Sequence, residues 1–167
     1  MSLSDNEIRK AARKGEFKAS PRFSKINPAG LDLRVDRNLI ITPHKQALVA
    51  SLERIELSPN LVGILHIRSS LAREGLFASL ALVDPGFRGQ LTVSLYNAGD
   101  RPVKLKRGER FIQLSLFRLG KPAEKTYNGR YQESTGVVRS RRRKNSTGVE
   151  CKVLYSVQPS KRPEQII

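Results

Sequence analysis

The sequence predicts an all-β sandwich or barrel with one short helix at its N-terminus. Three observations carry this expectation. Apolar and polar residues alternate at period two from Leu31 to Val35, from Leu91 to Leu95 and from Ile112 to Leu116. The apolar runs are short and closely spaced, and Gly or Pro turns break them. Helical spacing is confined to the residues before Gly15.

Taken in order, Ser4-Asp5-Asn6-Glu7 reads as a capping box, with Ser4 as N-cap and Glu7 three residues on. Ile8, Ala11 and Ala12 recur at helical spacing and Gly15 is a natural stop, so a helix is expected over 5–14. Ser20-Pro21 and Asn27-Pro28-Ala29-Gly30 are loop signals. Leu31, Leu33 and Val35 then alternate with Asp32, Arg34 and Asp36, the pattern of a half-buried strand. Leu39-Ile40-Ile41 precedes a break at Pro43. Leu48 to Leu57 gives a strand or bulged pair, and Pro59-Asn60 turns the chain into the run 61–67. Gly75 limits 71–77 to a loop or a very short helix.

Strands at 78–83 and 90–96 are expected to face each other across Asp84-Pro85-Gly86-Phe87. Pro followed by Gly at the centre of that turn is the type II signature. Asn97 to Asp100 turns again, 102–105 is a short strand, 107–109 a turn and 112–116 another alternating strand. Beyond Gly120 the pattern weakens, and 149–157 is either a last strand or disordered. No internal repeat is present.

A chain of 167 residues is one domain and can bury a core without disulfides. Its one cysteine, Cys151, excludes an internal disulfide framework and a cysteine zinc cluster. His44 and His66 are too few for a histidine-rich metal site. There is no membrane-length apolar run, and charges interrupt the N-terminus, so a soluble cytoplasmic protein is expected. The formal charge is +16, from 31 Lys and Arg against 15 Asp and Glu. Such an excess attracts polyanions, including phosphorylated metabolites, or is simply a solvated basic surface. Part of it is the run Arg139 to Lys144, read first as a solvated tail and second as a weak nucleic-acid contact.

Two polar marks interrupt the apolar stretch from Leu65 to Tyr96. Arg68-Ser69-Ser70 offers a charged fork and hydroxyl donors suited to phosphate oxygens. Asp84, fixed by Pro85-Gly86, suits a positioned base. Together they suggest a nucleoside-triphosphate site. Ordinary readings stand beside these. Asp84 is also a common turn former, Phe87 a core aromatic, Asp32 an outward strand residue and Gln113 an exposed one.

These residues occur in a series of motifs that resembles the dCTP deaminase and dUTPase superfamily over roughly residues 3–140. Leu3 to Ile8 with Gly15 is similar to the N-terminal helix of the deaminase branch, and Ile26 to Arg34 to the first shared motif. Arg68 to Leu76 resembles the second deaminase motif, Asp84 to Gly89 the third, and Gly108, Ile112 and Gln113 the fourth. Tyr127 to Gln132, with Gly136 and Ser140, resembles the deaminase-type tail.

The resemblance implies a distorted β-barrel or jelly roll in a homotrimer, with active sites between subunits and the tail folding over the ligand. Residues 1–136 would form the domain and 137–167 a basic C-terminal tail. One departure directs the reading. The deaminases carry a proton-shuttling glutamate where this chain has Ser94. A hydroxyl without an adjacent base does that work poorly. A small residue there, and an aromatic at Phe87, are features of dUTPases.

The resemblance therefore implies a deaminase-like scaffold that hydrolyses dUTP to dUMP and pyrophosphate. Asp84 would orient or deprotonate the attacking water and bond the sugar 3′-hydroxyl. Arg68, Ser69, Ser70 and Gln113 would bind phosphates. Phe87 and Leu82 would contact sugar and base, and the backbone of an 79–91 hairpin would read the uracil edge. Mg2+ would bridge the triphosphate without a direct protein ligand, with Asp32 holding its waters. Arg73 and Tyr131 would contact ligand or a subunit interface. The alternatives are a dCTP deaminase, a bifunctional enzyme, or a non-catalytic nucleotide or nucleic-acid binder.

Overall fold

The computed structural model describes residues 1–23, 25–79 and 81–142. The expected C-terminal strand at 149–157, Cys151 and the end of the basic run at 143–144 lie outside them. Helix α1 spans Asp5–Arg13 and is closed by the predicted capping box. Ser4 Oγ accepts from the Glu7 amide and the Glu7 carboxylate accepts from the Ser4 amide. Ile8 and Ala11 are its buried positions, and Gly15 at φ +74 reverses the chain after it.

Eleven strands follow among the described residues: β1 Phe17–Ser20, β2 Lys25–Asn27, β3 Gly30–Arg34, β4 Leu39–Ile41, β5 Gln46–Leu57, β6 Leu61–Ile67, β7 Leu76–Ser79, β8 Leu82–Val83, β9 Arg88–Asn97, β10 Val103–Leu105 and β11 Arg110–Arg118. A five-residue helix α2, Ser69–Arg73, sits between β6 and β7. One sheet has the order β1-β5-β9-β7, the second β2-β3-β11-β6-β8, and β10 and β4 form a ribbon. The first sheet supplies Phe17, Val49, Ile55, Leu76, Val93 and Leu95 to one core, and the second supplies Leu31, Leu33, Leu65, Ile112 and Leu114. The architecture is thus an all-β sandwich, and among the described residues neither sheet closes into a barrel.

Three expectations are corrected. β1 and β2 lie in stretches read as loop. Their runs are too short to display a period, and pairing with β5 and β3 supplies their order. The 78–83 and 90–96 segments pair only in part: Ala78 and Ser79, at the end of β7, face Leu95 and Ser94 on β9, but the chain then leaves that sheet. β8 pairs with β6 in one sheet, while β9 pairs with β5 and β7 in the other. Asp84 to Phe87 is therefore a crossing between layers. It is still the expected turn: the Phe87 amide donates to the Asp84 carbonyl at 3.1 Å, and Gly86 has φ +81. A Cβ on Gly86 would also stand 2.5 Å from Thr126.

The third correction concerns Asp32. The alternation is real, because Leu31 and Leu33 face the core. Yet Asp32 is only 3% exposed, since basic side chains roof the outer face of the sheet above it. At the far end of β11, the Arg118 guanidinium beside Glu16, 2.7 Å away, holds that carboxyl below the usual glutamate range. This ties β11 to the exit of α1.

Candidate active site

A cavity of about 530 Å3 opens on β9 and brings together Leu82, Asp84, Phe87, Ser94 and Tyr131. Alternation on β9 puts Gln90, Thr92 and Ser94 on one face, which forms the cavity wall. Asp84 is half-buried at the crossing turn. Phe87 is buried against Tyr127, with ring centroids 5.7 Å apart. Leu82 remains 59% exposed at the rim.

The chain after Thr126 closes one side. The Tyr127 amide donates to the Pro85 carbonyl, and Gln132 Nε2 donates to the Gly86 and Tyr127 carbonyls. Gln132 Oε1 accepts from the Arg88 amide at 2.8 Å, and the Glu133 carboxylate pairs with Arg54 and Arg88. Farther on, the Gly136 amide donates to Gln90 Oε1 at 2.7 Å, and the Val138 amide donates to Thr92 Oγ1 at 3.0 Å. Gln90 Nε2 is itself anchored on the Ser51 carbonyl at 2.7 Å. Tyr131 sits in this segment, where its hydroxyl accepts from the Arg141 amide and its ring lies under the Arg141 guanidinium.

The predicted phosphate-binding residues lie elsewhere. Asp32, Gln113 and His66 are cross-strand partners on β3, β11 and β6, in one row on the outer face of the second sheet. Asp32 accepts from Asn27 Nδ2 at 2.8 Å and from an Arg110 guanidinium nitrogen at 3.3 Å, and Arg68 Nε stands 3.9 Å away. Arg68 also donates to the Arg110 carbonyl at 3.0 Å. Two guanidinium groups are thus held over one carboxylate, each still about a third exposed. Ser69 and Ser70 begin α2 beside them, both exposed, and Arg73 is exposed at its end.

Within one chain these two groups are apart. Gly63 and Ile64 pair with Val83 and Leu82, so Asp84 is level with Val62 while Arg68 lies beyond the other end of β6. Six residues of strand at ~3.3 Å each separate them by roughly 20 Å. A triphosphate arm is much shorter than that. A second cavity, of about 540 Å3, lies between α1 and β1 and is lined by Arg9, Arg13, Phe17, Lys18, Arg22 and Phe23 among others. It contains none of the predicted residues.

Sequence reasoning missed Arg110, Gln90, Thr92 and Gln46. Gln90 and Thr92 share the alternation that exposes Ser94, which is a usable signal. Arg110 and Gln46 are brought in by strand pairing, which leaves no local mark. Because Asp32 is the counter-charge for both arginines, Asp32→Ala is expected to lower stability by about 1–3 kcal/mol, the scale of leaving part-buried charged donors without an acceptor. Denaturant melts of the two proteins measure it.

Comparison with known proteins adds the following. A family profile described as dCTP deaminase-like matches residues 35–119. A dCTP deaminase of Pyrococcus horikoshii is 44% identical over 161 residues, covering 86% of this chain and 99% of that protein. A probable deoxyuridine 5′-triphosphate nucleotidohydrolase of Sulfolobus islandicus rod-shaped virus 1 is 35% identical, covering 82% of this chain and 96% of that one. The solved EIAV dUTPase superposes with a TM-score of 0.55 at 24% identity, over 68% of this chain and 96% of that one, which speaks to the fold.

Proposed function

Because the chain belongs to the dCTP deaminase-like family, we propose that it is a dUTP diphosphatase, hydrolysing dUTP to dUMP and pyrophosphate. The single observation that carries this choice within the family is the cavity wall at Ser94. Where deamination needs a group that accepts and returns protons, the wall offers a hydroxyl whose oxygen already accepts from Gln46 Nε2 at 2.6 Å. Asp84 is the carboxylate that lines the same cavity.

In this reading the pyrimidine enters beside Ser94 and the deoxyribose packs on Phe87. The Asp84 carboxylate accepts a proton from water attacking the α-phosphorus and bonds the 3′-hydroxyl. Arg68, Ser69, Ser70 and Gln113 take the phosphate oxygens, and Arg110 adds a further cation to that set. The water adds to phosphorus, the bond to the bridging oxygen breaks, and pyrophosphate leaves with the electron pair.

The separation of Asp84 from Arg68 means that one chain cannot hold both ends of the substrate. We assign the phosphate half of each site to a second copy, in the homotrimer. Its contact surface is proposed to include Phe77, Tyr96 and Leu82, which are 64%, 43% and 59% exposed. Phe77 and Tyr96 are cross-strand partners on β7 and β9, next to the cavity.

Among the described residues no group of three His, Cys, Asp or Glu comes together, and Asn27 and Arg110 each donate to one Asp32 oxygen. The substrate is written as the Mg2+ complex of dUTP, and Asp32 is proposed to hold waters of that ion through the acceptor positions its two oxygens keep. Among the described residues no helix is long and apolar enough to cross a membrane.

A second reading, dCTP deamination, is favoured by the name of the Pyrococcus relative. Product analysis separates the two. Mg-dUTP is expected to yield dUMP and pyrophosphate in equal amounts, and failure to consume it overturns the proposal.

A further inference from the structure

We propose that Gln132 is a positioning residue: it fastens the Asp84 turn to the segment that closes the cavity, and turnover depends on that link. This rests on the reading of Asp84 as the reacting carboxylate of the cavity at β9.

The turn is held on two edges. On one, the end of β5 holds it: the Gly86 amide donates to the Leu57 carbonyl at 3.1 Å, and the Leu57 amide donates to the Phe87 carbonyl at 3.0 Å. On the other edge stands a side chain. Gln132 Nε2 donates to the Gly86 carbonyl at 2.9 Å, and Gln132 Oε1 accepts from the Arg88 amide at 2.8 Å. The carbonyl of one residue and the amide two residues on are the pair that a neighbouring parallel strand takes. The carboxamide thus stands in for a peptide group beside Phe87. The main chain continues the pairing directly after it, with the Glu133 amide on the Arg88 carbonyl at 2.7 Å and the Gln90 amide on the Ser134 carbonyl at 2.8 Å.

The second amide proton of Gln132 goes to the Tyr127 carbonyl at 3.0 Å, and the Tyr127 ring packs on Phe87. Only one orientation of the carboxamide satisfies all three partners. Flipped, it would set its NH2 against the Arg88 amide and its oxygen against two carbonyls. Met and Glu have a similar length, and neither donates to both carbonyls. The Asp84 carboxylate goes where this turn puts it, and a misplacement of about 1 Å costs on the order of a hundredfold in rate. The fold does not hang on Gln132, which is only half-buried and lies outside the core, while Leu57 still holds the turn.

The test uses the full-length protein and compares the wild type with Gln132→Met and Gln132→Glu. Hydrogen exchange followed by mass spectrometry, without nucleotide, reads the link. Peptides covering 84–90 should exchange about fivefold faster or more in both variants, the fold-change of one neutral hydrogen bond, while β11 exchanges as in the wild type. With Mg-dUTP, kcat should fall by about tenfold to a hundredfold, and KM should stay within a few-fold. In an Asp84→Asn background Gln132→Met should lower kcat no further, because a residue acting through Asp84 has nothing left to place.

Unchanged exchange at 84–90 overturns the proposal. So does a raised KM at constant kcat, which would make Gln132 part of the grip on the ligand. An equal loss of kcat with and without the Asp84 carboxylate also overturns it, since Gln132 would then act on the structure at large. Failure of the wild type to consume Mg-dUTP overturns the proposed function and with it the catalytic part of this role, while the exchange data still decide the link itself.

Discussion

Asp84→Asn is expected to lower kcat for dUTP by roughly 10²–10⁴-fold, the usual contribution of a positioned general base. KM should stay within a few-fold. The carboxamide keeps the shape of the side chain and can still bond the sugar 3′-hydroxyl, but it does not accept a proton from water. The backbone around it also stays in place, because the turn is fixed by the Phe87 amide on the Asp84 carbonyl and by Gly86. Initial rates with Mg-dUTP measure the effect. Turnover near the wild-type rate would remove Asp84 from the chemistry.

The second large effect is a recovery. Asp84→Asn and Arg68→Ala are each expected to be inactive or nearly so alone. Refolded together as mixed trimers, they should regain up to about a quarter of wild-type activity, because in a random closed ring about one site in four joins an intact Asp84 to an intact Arg68 from its neighbour. The structural ground is the roughly 20 Å of strand between the two residues within one chain. Light scattering on the mixture confirms that trimers formed. A mixture as inactive as its components, with trimers present, would mean that each site is complete in one subunit.

Much of this was legible in the sequence. The capping box, the type II turn and the alternating strands are local signals, written within a few residues of where they act, and α1, the Asp84 turn, β9 and β11 carry them. The sheet assignment was not legible. Asp84 to Phe87 satisfies the turn chemistry equally well between paired strands or between layers, and only the pairing of β8 with β6 decides. Asp32 shows the same limit from another side. Its outward direction follows from period two, but its burial comes from Arg68 and Arg110, distant in sequence. Gln46 left no signal at all, since its partner Ser94 reaches it only through the β5–β9 register. The candidate site was thus readable as a set of residue types, while its division between subunits came only from the family resemblance and from no local signal.

The most direct measurement of the central proposal is a paired assay of the wild-type protein with Mg-dUTP and Mg-dCTP under identical conditions, following pyrophosphate and ammonia. The wall at Ser94 predicts pyrophosphate from dUTP and no comparable ammonia from dCTP. Ammonia released from dCTP as fast as pyrophosphate from dUTP would contradict it, and would mean that proton transfer at the ring does not need the group this chain lacks.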